Sequence, residues 1–131
     1  MQTEDLAKIG FGVVVVLAII GGIVTVGGPA TGRMEKRDQA RLSDIRALQN
    51  YVTCVARARD KTLPDSLDGN NECRRELDRT DPFDGTPYVY RKLSETSYEL
   101  CANFELPDAL STWQRPQLDP ETGCLQYEFI P

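Results

Sequence analysis

The stretch Pro87–Phe104, PYVYRKLSETSYELCANF, decides how the rest of the chain is read. Two runs rich in aromatic and alternating residues, PYVYRKL and SYELCANFE, flank the short polar turn Ser94-Glu95-Thr96, the pattern of an antiparallel β-hairpin. In the second run Tyr98, Leu100, Ala102 and Phe104 share one face, so Cys101 lies on the other with Glu99 and Asn103. The closing segment CLQYEFI reads as a third strand. Its Leu125, Tyr127 and Phe129 form the apolar side and Cys124 lies with Gln126 and Glu128 on the polar side. Between them PDALSTWQRPQLDPETG is a proline-rich connection carrying Trp113, the only tryptophan. That ring reads as a lid folded over the sheet, with a partner anchor as the alternative.

Working outward, Met34, Leu42, Ile45, Leu48, Val52 and Val55 recur at spacings of three, four and their multiples, which is one stripe of an amphipathic helix. Pro64 sets its outer limit and the charged ARARDK segment its end, so the expected span is Arg33–Arg59. From Leu63 to Pro82 the chain is polar and contains Asp68-Gly69-Asn70-Asn71, which favours turns and at most a short helix around Cys73–Leu77. An apolar helix stripe and an apolar sheet face must cover one another. The expected fold class is therefore α+β, an amphipathic helix packed on a small antiparallel sheet.

Further upstream, Ile9–Val26, IGFGVVVVLAIIGGIVTV, has no charge, and Thr25 is its only polar side chain. At about 1.5 Å per residue such a run reaches the lower end of what spans a bilayer core. Paired glycines and a proline, Gly27-Gly28-Pro29, end it. A cleaved signal peptide is the rival reading, because Gly28-Pro29-Ala30 offers small residues to a peptidase. The leader MQTEDLAK, with Glu4 and Asp5 against Lys8, lacks the positive region such peptides carry, so a retained anchor is expected. The expected organisation is a tail over 1–8, a transmembrane anchor over 9–28 in contact with lipid, a break over 29–32 and a soluble domain over 33–131.

The chain has 131 residues, 15 Lys plus Arg against 20 Asp plus Glu, a net charge of -5 and no histidine. That length allows one soluble domain. Acidity argues against nucleic acid as a partner, since neutralising phosphates needs a basic face. Without imidazole the chain lacks the commonest general base and zinc ligand, so no catalytic residue, no cofactor and no enzyme activity are expected.

Two signals for orientation conflict. Arg33, Lys36, Arg37, Arg41 and Arg46 follow the anchor, which by the positive-inside rule would retain the domain in the cytoplasm, although Glu35, Asp38 and Asp44 interleave with them. Against this, all 4 cysteines lie in the soluble part, the pattern of disulfide stapling in an oxidising compartment. The cysteines carry more weight. If the strands of Cys101 and Cys124 are neighbours these two bond, leaving Cys54 to Cys73, one of three connectivities. No close C-x-x-C pair exists for a metal, and no histidine to activate a thiol.

Asp78, Asp81 and Asp84 in LDRTDPFDGTP invite a calcium reading, but no bidentate glutamate follows at the required place, and Asp81-Pro82 and Asp84-Gly85 are ordinary turn chemistry. Asp119-Pro120-Glu121-Thr122 admits the same two readings, the turn again preferred.

The order of motifs resembles an uncharacterised family of bacterial single-pass membrane proteins. The matching residues are Gly27-Gly28-Pro29-Ala30, Arg41-Leu42-Ser43-Asp44-Ile45-Arg46-Ala47-Leu48-Gln49, Leu63-Pro64-Asp65-Ser66-Leu67, Asp81-Pro82-Phe83-Asp84-Gly85-Thr86-Pro87-Tyr88-Val89-Tyr90-Arg91 and Tyr98-Glu99-Leu100-Cys101-Ala102-Asn103-Phe104. That likeness implies a topology and no activity. More distantly, the helix, the L-P loop and the D-P-to-P-Y-x-Y segment resemble the major pseudopilins of type II secretion, which implies a pilin-like globular fold. Gly10-Phe11 is similar to the prepilin cleavage junction, yet Val15 stands where pilins carry a glutamate, and Gly27-Gly28-Pro29 interrupts the long helix of a filament subunit. The expected function is a non-catalytic, membrane-anchored structural or interaction subunit with an envelope protein as partner. It would sit in the bacterial inner membrane with the soluble domain on the periplasmic side. A pseudopilin subunit and a calcium- or ligand-binding sensor are the alternatives.

Overall fold

The computed structural model describes residues 3–68, 73, 77–112 and 116–131. By internal contacts the chain divides into Met1–Met34 and Glu35–Pro131. In the first unit, helix α1 runs Thr3–Val26 and buries none of its residues. It is one helix long and apolar enough to cross a membrane. The tail expected over 1–8 is instead helical from Thr3, because Glu4 and Asp5 in the first turn complement the positive end of the helix dipole.

Helix α2 runs Pro29–Ala58. The break expected over 29–32 lies instead at Gly27 and Gly28, and residues 29–32 are already the first turn of α2. Gly27 takes the left-handed φ of +74° that ends a helix at low cost. The Gly28 carbonyl accepts the first bond of α2, from Thr31 N–H at 3.0 Å. Pro29 then sits at the first helical position, where its missing N–H would have no partner in any case. The same proline that cannot extend α1 is thus a favourable first residue for α2.

In the second unit, strands β1 (Val89–Lys92), β2 (Ser97–Cys101), β3 (Leu118–Asp119) and β4 (Cys124–Glu128) form one antiparallel sheet in the order β1-β2-β4-β3. The expected hairpin is β1–β2, and the expected third strand is β4, paired with β2 so that Leu100 meets Leu125 and Tyr98 meets Tyr127. β3 and the short helix α3 (Pro107–Ser111) were not expected, being too short to show a period in a stretch dominated by turn residues. Trp113 and most of the short helix considered at Cys73–Leu77 lie outside the described residues.

One side of α2 packs on one face of this sheet. Leu42, Ile45, Leu48, Val52 and Ala56 cluster with Tyr98, Leu100, Leu118, Leu125 and Tyr127, and Phe104, Leu110 and Phe129 belong to the same core. Tyr98 stacks on Tyr127 with centroids 5.6 Å apart, and Tyr90 tilts against Tyr98 at 5.7 Å. Both disulfides join the expected partners, Cys54–Cys73 and Cys101–Cys124. Cys101 and Cys124 lie on the face away from the core, as alternation requires. They are nonetheless only 8% and 6% exposed, since each sulfur covers the other and the Arg91 guanidinium approaches both.

Candidate functional site

The stripe of α2 is not apolar throughout. Between Met34 and Leu42 its inward side carries Asp38 and Arg41, which are 1% and 2% exposed, and opposite them the loop before β1 buries Asp81 at 2%. Arg41 Nε donates to Asp81 Oδ2, and Arg41 Nη1 donates to Asp38 Oδ1 at 2.8 Å and to Glu105 Oε2 at 3.0 Å. Asp38 also accepts the backbone N–H groups of Glu105 and Leu106, at 3.0 and 2.8 Å, at the entry to α3. Arg37 completes the group with two 2.7 Å bonds to the Glu105 carboxylate. Parallel paired bonds of this kind are the strong form of an ion pair. Ion-pair attraction alone would not offset the cost of burying such charges; full hydrogen bonding makes them tolerable.

The D-P-F-D-G-T-P-Y-V-Y segment is arranged around this cluster. Asp81 Oδ1 accepts from Phe83 N–H at 2.8 Å, Asp84 Oδ1 accepts from Thr86 N–H at 2.8 Å, and Gly85 N–H donates to the Asp81 carbonyl at 2.9 Å. The Phe83 ring lies 5.5 Å from the Arg41 guanidinium carbon. Tyr88 donates its hydroxyl to Asp44 at 2.7 Å, and Tyr90 donates to the Pro64 carbonyl at 2.6 Å. The loop is thereby tied to α2 at Arg41 and Asp44 and to the L-P segment at Pro64. Among the described residues no buried side-chain polar atom is left without a partner.

Charge state follows from these contacts. Burial by itself would lower the Arg41 pKa, but hydrogen bonds to Asp81, Asp38 and Glu105 outweigh it and hold the guanidinium above its ordinary value. The Arg37 hydrogen bond holds the Glu105 carboxyl below the ordinary carboxylate value, and hydrogen bonds from Thr86 do the same for Asp84. Burial, helped by Asp44, raises the Tyr88 phenol. Each of these four shifts moves away from neutrality. This geometry orients loops.

The three calcium candidates do not come together. Asp78 is exposed, Asp81 is committed to Arg41 and to Phe83 N–H, and Asp84 binds Thr86 N–H and the Asn103 amide at 3.2 Å. Asp119 accepts Glu121 N–H at 3.0 Å, an Asx turn into the β3–β4 connection. Among the described residues the one group of three ligand-type side chains within reach of each other is Glu99, Cys101 and Cys124, and its two sulfurs are already joined. The Arg41 cluster is what the sequence reading missed. A signal for it existed, because Asp38 and Arg41 fall in phase with Met34, Leu42 and Ile45, where a solvated charge has no place.

Two depressions flank β1. A cleft of about 330 Å3 is lined by Leu48, Leu67, Asp68, Arg79, Tyr88 and Tyr90, its rim joined by a 2.8 Å ion pair between Arg79 and Asp68. A more open groove of about 580 Å3 runs along Tyr90–Glu95 beside Asp65. Together these features define an α+β protein whose N-terminal helix has the length and apolarity of a membrane span and whose helix-on-sheet domain is stapled by two disulfides. Comparison with family models, with curated proteins and with solved structures finds no match.

Proposed function

We propose that this chain is a non-catalytic, membrane-anchored subunit of the bacterial inner membrane whose domain stands on the periplasmic side and serves as a structural or interaction module of the envelope. The observation that carries this reading is α1. It has 24 residues, none of them buried, and an apolar surface of that size is stable in lipid and not in water. The two disulfides support the outward orientation, since such bonds persist in oxidising compartments. The Arg41 cluster supports a scaffold role, its charged groups being spent on loop positioning.

Photo-cross-linking the full-length protein in native membranes tests the reading. A reproducible protein adduct on the domain supports it, and turnover of a substrate by the purified chain would overturn it. A second reading, a working pseudopilin, is favoured by the helix followed by a D-P-x-x-G-x-P-Y-x-Y loop and an antiparallel sheet. It requires cleavage between Gly10 and Phe11, so the intact mass of membrane-extracted protein distinguishes the two. A calcium sensor would gain melting temperature with calcium. With Asp81 committed to Arg41, no such gain is expected.

A further inference from the structure

The sheet has one open edge of useful length, and its pattern is self-complementary. Leu93 N–H bonds to the Ser97 carbonyl at 2.9 Å, and the register pairs Arg91 with Glu99 and Val89 with Cys101. In an antiparallel ladder the bonded positions alternate. Residues 89, 91 and 93 therefore turn their backbone groups toward β2, and Tyr90 and Lys92 turn theirs outward. Among the described residues, those outward N–H and C=O groups of Tyr90 and Lys92 have no partner. Beyond them the edge is closed, because Arg79–Thr80 lies along Pro87–Tyr88 through the Tyr88 N–H bond to the Arg79 carbonyl.

Side chains on the outer face share the same symmetry. Val89 and Leu93 are 44% and 48% exposed, and among the described residues of the Glu35–Pro131 unit they are, with Phe83 and Ile130, the exposed large apolar ones. They stand two residues either side of Arg91, whose charge is matched by Glu99 at 2.5 Å. The strand thus reads the same in both directions: apolar, open backbone, arginine, open backbone, apolar.

We propose that two copies of this chain pair through Val89–Leu93, antiparallel and two-fold about Arg91, joining their sheets edge to edge. Tyr90 then exchanges both backbone bonds with Lys92 of the second copy, each Val89 covers the other copy's Leu93, and the two Arg91 side chains that meet at the axis are each neutralised by their own Glu99, an isologous contact. Within the groove beside this edge, Arg91 and Lys92 are balanced by Asp65 and Glu95, so neither an acidic nor a basic peptide is favoured over a balanced copy. Open edges of this kind are templates for another strand. The inference rests on the interaction reading above and names its partner.

The test uses the full chain in detergent micelles, as a mixture of isotopically heavy and light protein carrying a benzophenone side chain at position 89. Heavy–light cross-links from position 89 to the residues around Leu93 are expected. Replacing Val89 and Leu93 together by glutamate sets like charges opposite each other and is expected to weaken dimerisation by about tenfold. The pair Val89→Glu with Leu93→Lys sets opposite charges there and is expected to restore it. Monomer only, cross-links elsewhere in the copy, or equal loss in both double variants would overturn the proposal, both variants retaining the two disulfides. A cross-link to a different protein in native membranes would overturn self-pairing while leaving the interaction reading in place.

Discussion

Arg41 shows how a single side chain can organise a small domain. Its guanidinium is nearly fully buried and holds Asp38, Asp81 and Glu105, which belong to three separate segments. Replacing it by methionine keeps much of the volume but strands two buried carboxylates. A loss of about 3–5 kcal/mol is expected, measured by denaturant unfolding of the oxidised protein. An unfolding free energy within about 1 kcal/mol of wild type, on the scale of one ordinary hydrogen bond, would contradict that role. Gly123 is a second point of sensitivity. Its φ is +70°, and an added Cβ would meet the Ala102 carbonyl oxygen at 2.3 Å. Gly123→Ala is expected to cost about 2 kcal/mol or more, because left-handed strain and a backbone clash add. The sequence hinted at Asp38 and Arg41 by their helical phase. It could not show Glu105, whose role depends on where the segment after β2 returns.

Among the elements, α2, the β1–β2 hairpin and β4 were legible because each is long enough to express its period. The β2–β4 neighbourhood then placed Cys101 opposite Cys124 and left Cys54 for Cys73. What escaped were the elements that no periodicity reaches, the two residues of β3 and the five of α3. The start of α2 was displaced for another reason, since proline both ends and begins helices and only the conformation of Gly27 decides where the break falls. The disulfides close loops of similar length, with sequence separations of 19 and 23. Replacing either pair by serines is therefore expected to cost a similar amount, about 3 kcal/mol, read as matched shifts in denaturant midpoint. One pair costing nothing while the other unfolds the domain would show that loop closure is not what they contribute.

Taken as a whole, the domain carries its pH limits in opposite groups. Burial raises the phenols of Tyr90, Tyr98 and Tyr127 from 10.0 to about 12. Neutral tyrosine is thus favoured in the fold. Stability from these groups is complete below pH 10 and is lost as pH rises toward 12. Tyrosinate absorbance is expected to appear together with loss of the far-ultraviolet signal; a gradual titration of a folded domain would contradict it. On the acid side, Glu105 titrates below its ordinary 4.5 because of Arg37, so its contribution holds above that value and falls as pH drops through the depressed one.

An exposed apolar helix and a stapled domain make orientation in the membrane the property on which the proposed role depends. Thiol alkylation of intact cells, followed by extraction and intact-mass measurement with and without prior reduction, reads it directly. The expected result is a full-length chain whose Cys54, Cys73, Cys101 and Cys124 resist alkylation until reduced. Alkylation of all of them without reduction would place the domain in a reducing compartment and contradict an outward-facing envelope subunit.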